Sequence, residues 1–177
     1  DDKVDSKKII MLGALGSGKT TALENFCSKL MQDSSMEHGI ATINHEEIHF
    51  LSSPKDKQLN FMEDILSKTE VDGAVVFVDN TRGVTGEDEE IIKTLERRGI
   101  PNIILSNKND LNKNNVDMDF TTTPVIPVVA KNGRSMIKAI EKLLKLISPH
   151  QYYLNKKAQE VVTIKPRSVT IKSRSFC

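Results

Sequence analysis

The chain has 177 residues, of which 38% are hydrophobic and 28% charged, and its formal net charge is +1. These values fit one compact domain with its own core, and they give no reason to expect attraction to nucleic acid or to a membrane. The presence of only two cysteines excludes a disulfide framework, and we expect Cys27 to be a small core residue. Because the chain shows neither an apolar run of membrane-spanning length nor a signal-peptide pattern, we expect a cytoplasmic protein.

Short apolar runs alternate with longer helical patterns along the chain. The runs predict strands at residues 9–12, 48–51, 74–78, 103–105 and 125–129. Apolar residues at helical spacing predict helices over residues 23–31, 61–66, 91–95 and 136–147. This alternation predicts an α/β fold of three layers, with a mostly parallel central sheet between helices. Ligands of such sheets bind beyond the carboxyl ends of the strands.

A glycine-rich segment follows the first predicted strand and opens the first predicted helix. It fits the phosphate-loop pattern G-x-x-x-x-G-K-S/T, in which backbone N–H groups surround a polyphosphate and a helix N-terminus attracts the anion. The Lys19 ammonium can reach the β- and γ-phosphates and assist catalysis, and the Thr20 hydroxyl can bind Mg²⁺. A chance glycine-rich turn is the alternative, but the flanking strand and helix favour the phosphate loop. The predicted phosphate contacts are Gly13, Ala14, Leu15, Gly16, Ser17, Gly18, Lys19, Thr20 and Thr21.

A second motif, N-K-x-D, follows the strand predicted at 103–105 and occupies Asn107, Lys108, Asn109 and Asp110. A phosphate loop followed by this motif resembles the Ras-like P-loop GTPase superfamily, whereas a polar turn is the alternative. The resemblance covers about residues 7–148. It implies that Asp110 accepts hydrogen bonds from guanine, that Lys108 lies along the base and that Asn107 braces the loop. Adenine would leave the carboxylate facing an acceptor, at about 1–3 kcal/mol or more, so the implied ligands are GTP or GDP with Mg²⁺.

Two further segments resemble parts of this family. Ala130 and Lys131 match the family's S-A-K loop, whose backbone contacts the guanine carbonyl, although Val129 replaces the serine. The sequence V-D-N-T-R at 78–82, taken with the segment 50–57, is similar to archaeal and bacterial small GTP-binding proteins related to the signal-recognition-particle receptor β subunit.

The chain departs from the family where hydrolysis is catalysed. The family's D-x-x-G motif falls on Ser52 and Lys55, and Asp56 replaces the glutamine that orients the attacking water. Asp56 is the catalytic candidate here, although a carboxylate beside the γ-phosphate meets like charge. Thr42 is the candidate for the switch threonine that binds Mg²⁺, with a place inside a strand as the alternative.

Asp79 supports a competing interpretation. An apolar strand that ends in Asp is typical of P-loop ATPases and kinases, in which the carboxylate acts on Mg²⁺. The N-K-x-D motif downstream favours the Ras-like layout, in which Asp79 ends its strand away from the metal.

The sequence predicts a GTP-binding domain over residues 1–148 and a basic extension over residues 149–177. In the extension, six Lys and Arg residues face one acid, Glu160. The extension is either a loosely packed terminus or a docking segment for a partner or an acidic surface.

Three functions fit these motifs. The first is a guanine-nucleotide switch with slow hydrolysis, which works with a regulatory protein partner, either an activator or an effector. The second is a pseudo-GTPase that holds nucleotide without switching. The third is a P-loop ATPase or kinase. The phosphate loop is common to all three.

Overall fold

The computed structural model describes residues 6–107, 119–150, 153, 154 and 157. Lys108 and Asp110 lie outside the described residues, as does nearly all of the predicted basic extension. In chain order, the described elements are β1 (Ser6–Leu12), α1 (Lys19–Phe26), β2 (Lys29–Gln32), β3 (Glu37–Ile43), β4 (Glu46–Ser52), α2 (Gln58–Lys68), β5 (Gly73–Asp79), α3 (Gly86–Arg97), β6 (Asn102–Asn107), β7 (Val125–Pro127) and α4 (Gly133–Ile147).

The described strands form one sheet in the order β2-β3-β4-β1-β5-β6-β7. The five strands from β4 to β7 in this order run parallel, whereas β3 runs antiparallel to both β2 and β4. The carboxyl ends of the parallel strands therefore lie along one edge. Because β3 is antiparallel to β4, the first residue of β3 lies at the same edge as the last residue of β4.

Helices cover both faces of the sheet and form two cores. Within β1, Ile9 and Met11 belong to the core that α1 and α4 cover, whereas Ile10 and Leu12 belong to the core that α2 and α3 cover. All seven residues of β5 are buried, as expected of an unbroken apolar strand between two helix layers. This arrangement confirms the predicted three-layer α/β/α fold.

The first predicted helix is shorter than its apolar spacing indicated. α1 ends at Phe26, Cys27 has extended backbone angles (φ −84°, ψ 140°), and Leu30 and Met31 lie in β2 instead. The backbone N–H of Ser28 donates to the carbonyl of Ile40 over 2.8 Å, and β2 then pairs with β3. Hydrogen bonding to a neighbouring strand thus outweighs the helical spacing. Cys27 is partly buried against the core.

Within the described part of the chain, no helix has both the length and the apolar character needed to cross a membrane.

Candidate nucleotide site

The phosphate-loop segment joins the carboxyl end of β1 to the start of α1. Gly18 is the N-cap of α1, with φ +114°, and no side chain caps the first turn through a hydrogen bond. The backbone N–H groups of that turn are therefore available to an anion. A Cβ at Gly18 would collide with the side-chain amide of Asn107, and a Cβ at Gly13 would collide with the carbonyl of Phe77. The tight loop requires glycine at both positions because of its backbone angles and its close neighbours.

Lys19 lies under this loop and is 5% exposed. Its ammonium donates to the carbonyl of Gly13. Burial lowers the pKa of Lys19 to about 8, and the carboxylates of Glu37, Asp88 and Glu87 oppose that shift. A buried ammonium of this kind gains from a phosphate close by, because the phosphate restores the stabilisation that water would otherwise give.

The buried hydroxyl of Ser17 has no hydrogen-bond partner among the described residues. Together with the open first turn of α1 and the buried Lys19 ammonium, this hydroxyl fits the chemistry of a phosphate chain. The residues present therefore suit the nucleotide that the motif implies. Of the other predicted loop residues, Leu15 and Gly16 are exposed, and Ala14, Thr20 and Thr21 are half-buried.

Asn107, at the end of β6, connects the phosphate loop to the segment before α4. It is 4% exposed, its side-chain amide donates to the carbonyl of Ser17 over 2.8 Å, and its side-chain oxygen accepts from the backbone N–H of Ala130 over 3.0 Å. Ala130 is buried and Lys131 is exposed. The structure therefore brings together three of the predicted segments, while Lys108 and Asp110 lie outside the described residues.

Thr20 contacts Glu37, a residue that none of the sequence motifs includes. Its hydroxyl donates to Glu37 Oε1 over 2.8 Å, and the amide of Gln32 donates to Glu37 Oε2 over 2.8 Å. Glu37 is 2% exposed. In the sequence, Glu37 is only an acidic residue at the start of a segment in which polar and apolar residues alternate. Its position beside Thr20 depends on the pairing of β3 with β4.

The structure places Thr42, the residue predicted to bind Mg²⁺, within β3 and away from the phosphate loop. Thr42 is an exposed residue of β3 and pairs with Glu47, whereas Glu37, at the phosphate-loop end of β3, pairs with Ser52. Five positions along a strand, from 37 to 42, span about 17 Å. Thr42 therefore lies at the end of the sheet opposite the phosphate loop. It is an ordinary residue of β3, as the alternative interpretation of the sequence has it.

The segment after β4 lacks the acidic residue that the Ras-like family places there. Ser52 is fully buried, and its hydroxyl has no hydrogen-bond partner among the described residues. Lys55 and Asp56 are exposed. Gln58, which the sequence analysis passed over, is fully buried and donates to the carbonyls of Ser53 (3.2 Å) and Lys55 (2.6 Å). Gln58 therefore braces this loop from inside, while Asp56 faces solvent.

Asp79 contacts the turn that follows β5. Its Oδ1 accepts from the backbone N–H of Thr81 over 2.8 Å and from the Thr81 hydroxyl over 2.6 Å. These contacts support the layout in which Asp79 ends its strand and holds a turn. In the same turn, Arg82 reaches across to the phosphate loop, where its Nη1 donates to the carbonyl of Leu15 over 3.2 Å.

The sequence of this chain matches a known protein family. A family described as Novel STAND NTPase 3 matches residues 3–119. The chain belongs to this family. The matched range of this Novel STAND NTPase 3 chain contains both the phosphate loop and Asn107. The chain is also 36% identical over 115 residues to the uncharacterized protein MJ1339 of Methanocaldococcus jannaschii, an alignment that covers 62% of this chain and 74% of that protein.

Solved G domains resemble the fold of this Novel STAND NTPase 3 chain. Translation elongation factor SelB of Methanococcus maripaludis, in complex with the GTP analogue GPPNHP, matches with a TM-score of 0.62 and 17% identity over 82% of this chain. The chain spans 35% of that SelB chain. The FeoB G-domain of Methanococcus jannaschii matches with a TM-score of 0.61 and 18% identity, over 81% of this chain and 98% of that one. At these identities the likeness shows the P-loop G-domain fold.

Proposed function

We propose that this chain is a small GTP-binding protein, a guanine-nucleotide switch that hydrolyses GTP slowly and relies on a protein partner. The observation that carries the proposal is the double contact of Asn107 with Ser17 and Ala130. A phosphate loop alone is common to many nucleotide-binding proteins. A buried amide that ties this loop to the segment before α4 is what a base-reading N-K-x-D motif needs as its support.

The predicted phosphate-loop and base-reading residues each have a role in this proposal. Lys19 and the backbone N–H groups of residues 13–21 hold the phosphates, and the Thr20 hydroxyl binds Mg²⁺, which would neutralise phosphate charge. Lys108 and Asp110 read the guanine base, and the backbone at Ala130 and Lys131 contacts its carbonyl group. The structural neighbours support this assignment because two of them carry GTP analogues, SelB with GPPNHP and the T. maritima FeoB cytosolic domain in its GMPPNP form.

The base preference separates this proposal from a P-loop ATPase or kinase, which the family name, Novel STAND NTPase 3, leaves open. Titration of the nucleotide-free protein with fluorescent GDP, GTP and ATP should give guanine nucleotides at least tenfold tighter binding, or about 1.4 kcal/mol. Asp110→Asn should weaken guanine binding and shift the preference towards xanthine nucleotides. ATP binding as tight as GTP binding, or an unchanged Asp110→Asn variant, would contradict the guanine assignment.

The loop after β4 supports slow hydrolysis. Ser52 stands where Ras-like GTPases carry Asp, and the exposed Asp56 stands where they carry the water-orienting glutamine. Asp56 is then the residue available to contact the attacking water, and a partner supplies the missing group, as arginine fingers do. Under single-turnover conditions at millimolar Mg²⁺, GDP should form slowly, and faster when cell extract is added.

A pseudo-GTPase that holds nucleotide without switching is the second candidate. Ser52, the last residue of β4, is buried and uncharged. The strand therefore ends without the carboxylate that acts on Mg²⁺ in Ras-like GTPases, and this favours the pseudo-GTPase. A complete lack of GDP formation, even with extract present, would favour this candidate over the switch.

The proposed protein is cytoplasmic and has a GTP-binding domain over residues 1–148 and a basic extension over 149–177 that contacts its regulatory partner or an acidic surface. The narrower relation to the signal-recognition-particle receptor β subunit stays a prediction from the sequence at 50–57 and 78–82.

A further inference from the structure

Glu37 is a buried carboxylate at the phosphate-loop end of the sheet. It is the first residue of β3, and its Cα pairs with that of Ser52 on β4, which in turn pairs with Met11 on β1. The phosphate loop begins two positions after Met11, at Gly13. The antiparallel course of β3 therefore brings a residue from the start of a strand to the edge where the parallel strands end.

Both carboxylate oxygens of Glu37 accept a hydrogen bond. Oε1 accepts from the Thr20 hydroxyl and Oε2 from the Gln32 amide, each over 2.8 Å. A carboxylate that is 2% exposed is costly to bury unless it is paired. The nearby Lys19 ammonium is a favourable charge, and Glu37 is the largest of the carboxylate influences on Lys19. Glu37 is thus held in a fixed orientation beside the two side chains that the motif assigns to phosphate and metal.

The contact with Thr20 has a chemical consequence. Because the Thr20 hydroxyl donates its hydrogen bond to Glu37, the lone pairs of its oxygen are free to face a cation. Mg²⁺ prefers oxygen ligands and is usually bound through one or two carboxylates together with substrate phosphates. Among the described residues, no group of three or more His, Cys, Asp or Glu is placed to hold a metal ion.

Glu37 lies beside Ser52, which stands at the position where Ras-like GTPases carry an acidic residue. In the Ras-like pattern, the end of this strand carries an Asp that acts on Mg²⁺ through water, whereas here it carries a buried, neutral serine. The neighbouring position across the β3–β4 ladder carries Glu37. The negative charge is therefore present at this edge of the sheet, but it comes from the adjacent strand.

We propose that Glu37, together with the Thr20 hydroxyl, supplies the protein oxygen atoms that hold the Mg²⁺ of the bound nucleotide. This inference rests on the proposed nucleotide-binding function. A carboxylate that only stabilises the β2–β3 hairpin through Gln32 would not affect the requirement for metal.

The test is the Mg²⁺ concentration at which binding of fluorescent GDP is half-maximal, measured in wild type, Glu37→Gln and Glu47→Gln. Glu37→Gln keeps the size of the side chain and removes its charge. It should raise the half-maximal Mg²⁺ concentration by about 10–100-fold, the loss typical of altered metal-site partners, and leave GDP binding in EDTA unchanged or tighter. Glu47→Gln is the matched control, because Glu47 lies on β4 at the opposite end of the sheet and bonds to His49. It should match wild type.

The outcomes separate the two proposals. If wild-type protein binds GDP in an Mg²⁺-dependent way and Glu37→Gln has the same Mg²⁺ midpoint, the inference about Glu37 is wrong and nucleotide binding stands. If wild-type protein binds no nucleotide with or without Mg²⁺, both proposals fall.

A measurement on wild-type protein covers the case in which Glu37→Gln does not fold. With Fe²⁺ replacing Mg²⁺ in the presence of GDP, ascorbate and hydrogen peroxide, reduction of the peroxide by the bound Fe²⁺ forms radicals that cleave the backbone nearby, and mass spectrometry maps the cuts. We expect GDP-dependent cuts near both Thr20 and Glu37. Cuts near Thr20 without cuts in β3 would overturn the proposal.

Discussion

The side-chain amide of Asn107 donates to the carbonyl of Ser17 over 2.8 Å, across a separation of 90 positions in the chain. The same side chain accepts from Ala130, so that one buried residue determines how the phosphate loop lies relative to the segment before α4. Nucleotide binding should depend on this residue even though, in our proposal, other residues contact the phosphates and the base.

Asn107→Ala should weaken GDP binding at least tenfold, about 1.4 kcal/mol, because the two loops lose their common support. It should also lower the free energy of unfolding by about 1–3 kcal/mol, since the Ala130 N–H and the Ser17 carbonyl stay buried without a partner. Fluorescence titration and urea unfolding measure the two effects.

Asn102→Ala is the matched control for this variant. Asn102 lies at the other end of the same strand, is 7% exposed and donates to the carbonyl of Ile100 over 2.9 Å. Its replacement should affect stability and leave GDP affinity unchanged. Equal losses of affinity in both variants would mean that Asn107 acts through general stability alone.

Gly18→Ala should abolish nucleotide binding and destabilise the domain. The backbone of Gly18 has φ +114°, and an added Cβ would collide with the Asn107 amide. The backbone strain alone amounts to about 1–2 kcal/mol, and the collision would displace the side chain that joins the two loops. Thermal unfolding and GDP titration follow the two consequences.

The control for Gly18→Ala is Gly86→Ala, at the first position of α3. A Cβ there meets nothing within 4 Å, so stability should change by no more than about 0.5 kcal/mol. Normal GDP binding by Gly18→Ala would show that the loop tolerates a wider geometry than the structure has.

Asp56→Asn should slow unaided GTP hydrolysis by about tenfold, because one hydrogen bond to the attacking water is weakened by about 1–1.5 kcal/mol. GDP affinity should stay within about threefold, or roughly 0.6 kcal/mol, since Asp56 is exposed. Single-turnover assays measure the rate. Asp64→Asn, which removes an exposed carboxylate of α2 that pairs with Lys68, should behave as wild type. An unchanged rate in Asp56→Asn would show that Asp56 does not contribute to unaided hydrolysis.

Cys27 should react slowly with alkylating reagents in the folded protein. Burial raises the pKa of its thiol to about 12, and the thiolate is the reactive form. At pH 8 the folded Cys27 should therefore be labelled by iodoacetamide at least about a hundredfold more slowly than an unperturbed thiol with a pKa of about 8.5. The rate should rise about tenfold per pH unit as the pH approaches 12 from below.

The labelling is measured in a Cys177→Ser background, which leaves one thiol. Urea-unfolded protein is the reference, and it should react at the rate of a free cysteine. Fast labelling of the folded protein at pH 8 would contradict the placement of Cys27 against the core at the end of α1.

The course of the chain near Cys27 also shows where sequence patterns mislead. Leu23, Phe26, Leu30 and Met31 follow helical spacing, yet the last two lie in β2. The spacing correctly indicates that Leu23, Phe26 and Leu30 pack against one core, whereas Met31 is exposed. It could not show that the backbone of residues 29–32 pairs with β3, because hydrogen bonding between strands depends on a partner distant in the sequence.

The proposed metal site shows the same division between what sequence patterns indicate and what the tertiary structure decides. The sequence favours Thr42 as the Mg²⁺ ligand and gives no comparable indication of Glu37. Only the antiparallel register of β3 with β4 places Glu37 beside Ser52 and moves Thr42 to the far end of the sheet. A one-dimensional pattern cannot contain this register, since it is set by the hairpin at 44–45 and by which face of the strand is buried.

What the sequence determined by itself was the phosphate loop, the alternation of strands and helices and the position of Asn107 after a buried strand. These features depend on local rules: glycine backbone freedom, the anion preference of a helix N-terminus and the periodicity of apolar residues. The tertiary structure decided which side chains stand around the loop. Glu37 contacts Thr20, and Asn107 contacts Ser17 and Ala130, because strands from distant parts of the chain end at one edge of the sheet. Polar groups that are buried at this edge need hydrogen-bond partners, and the fold decides which residues provide them.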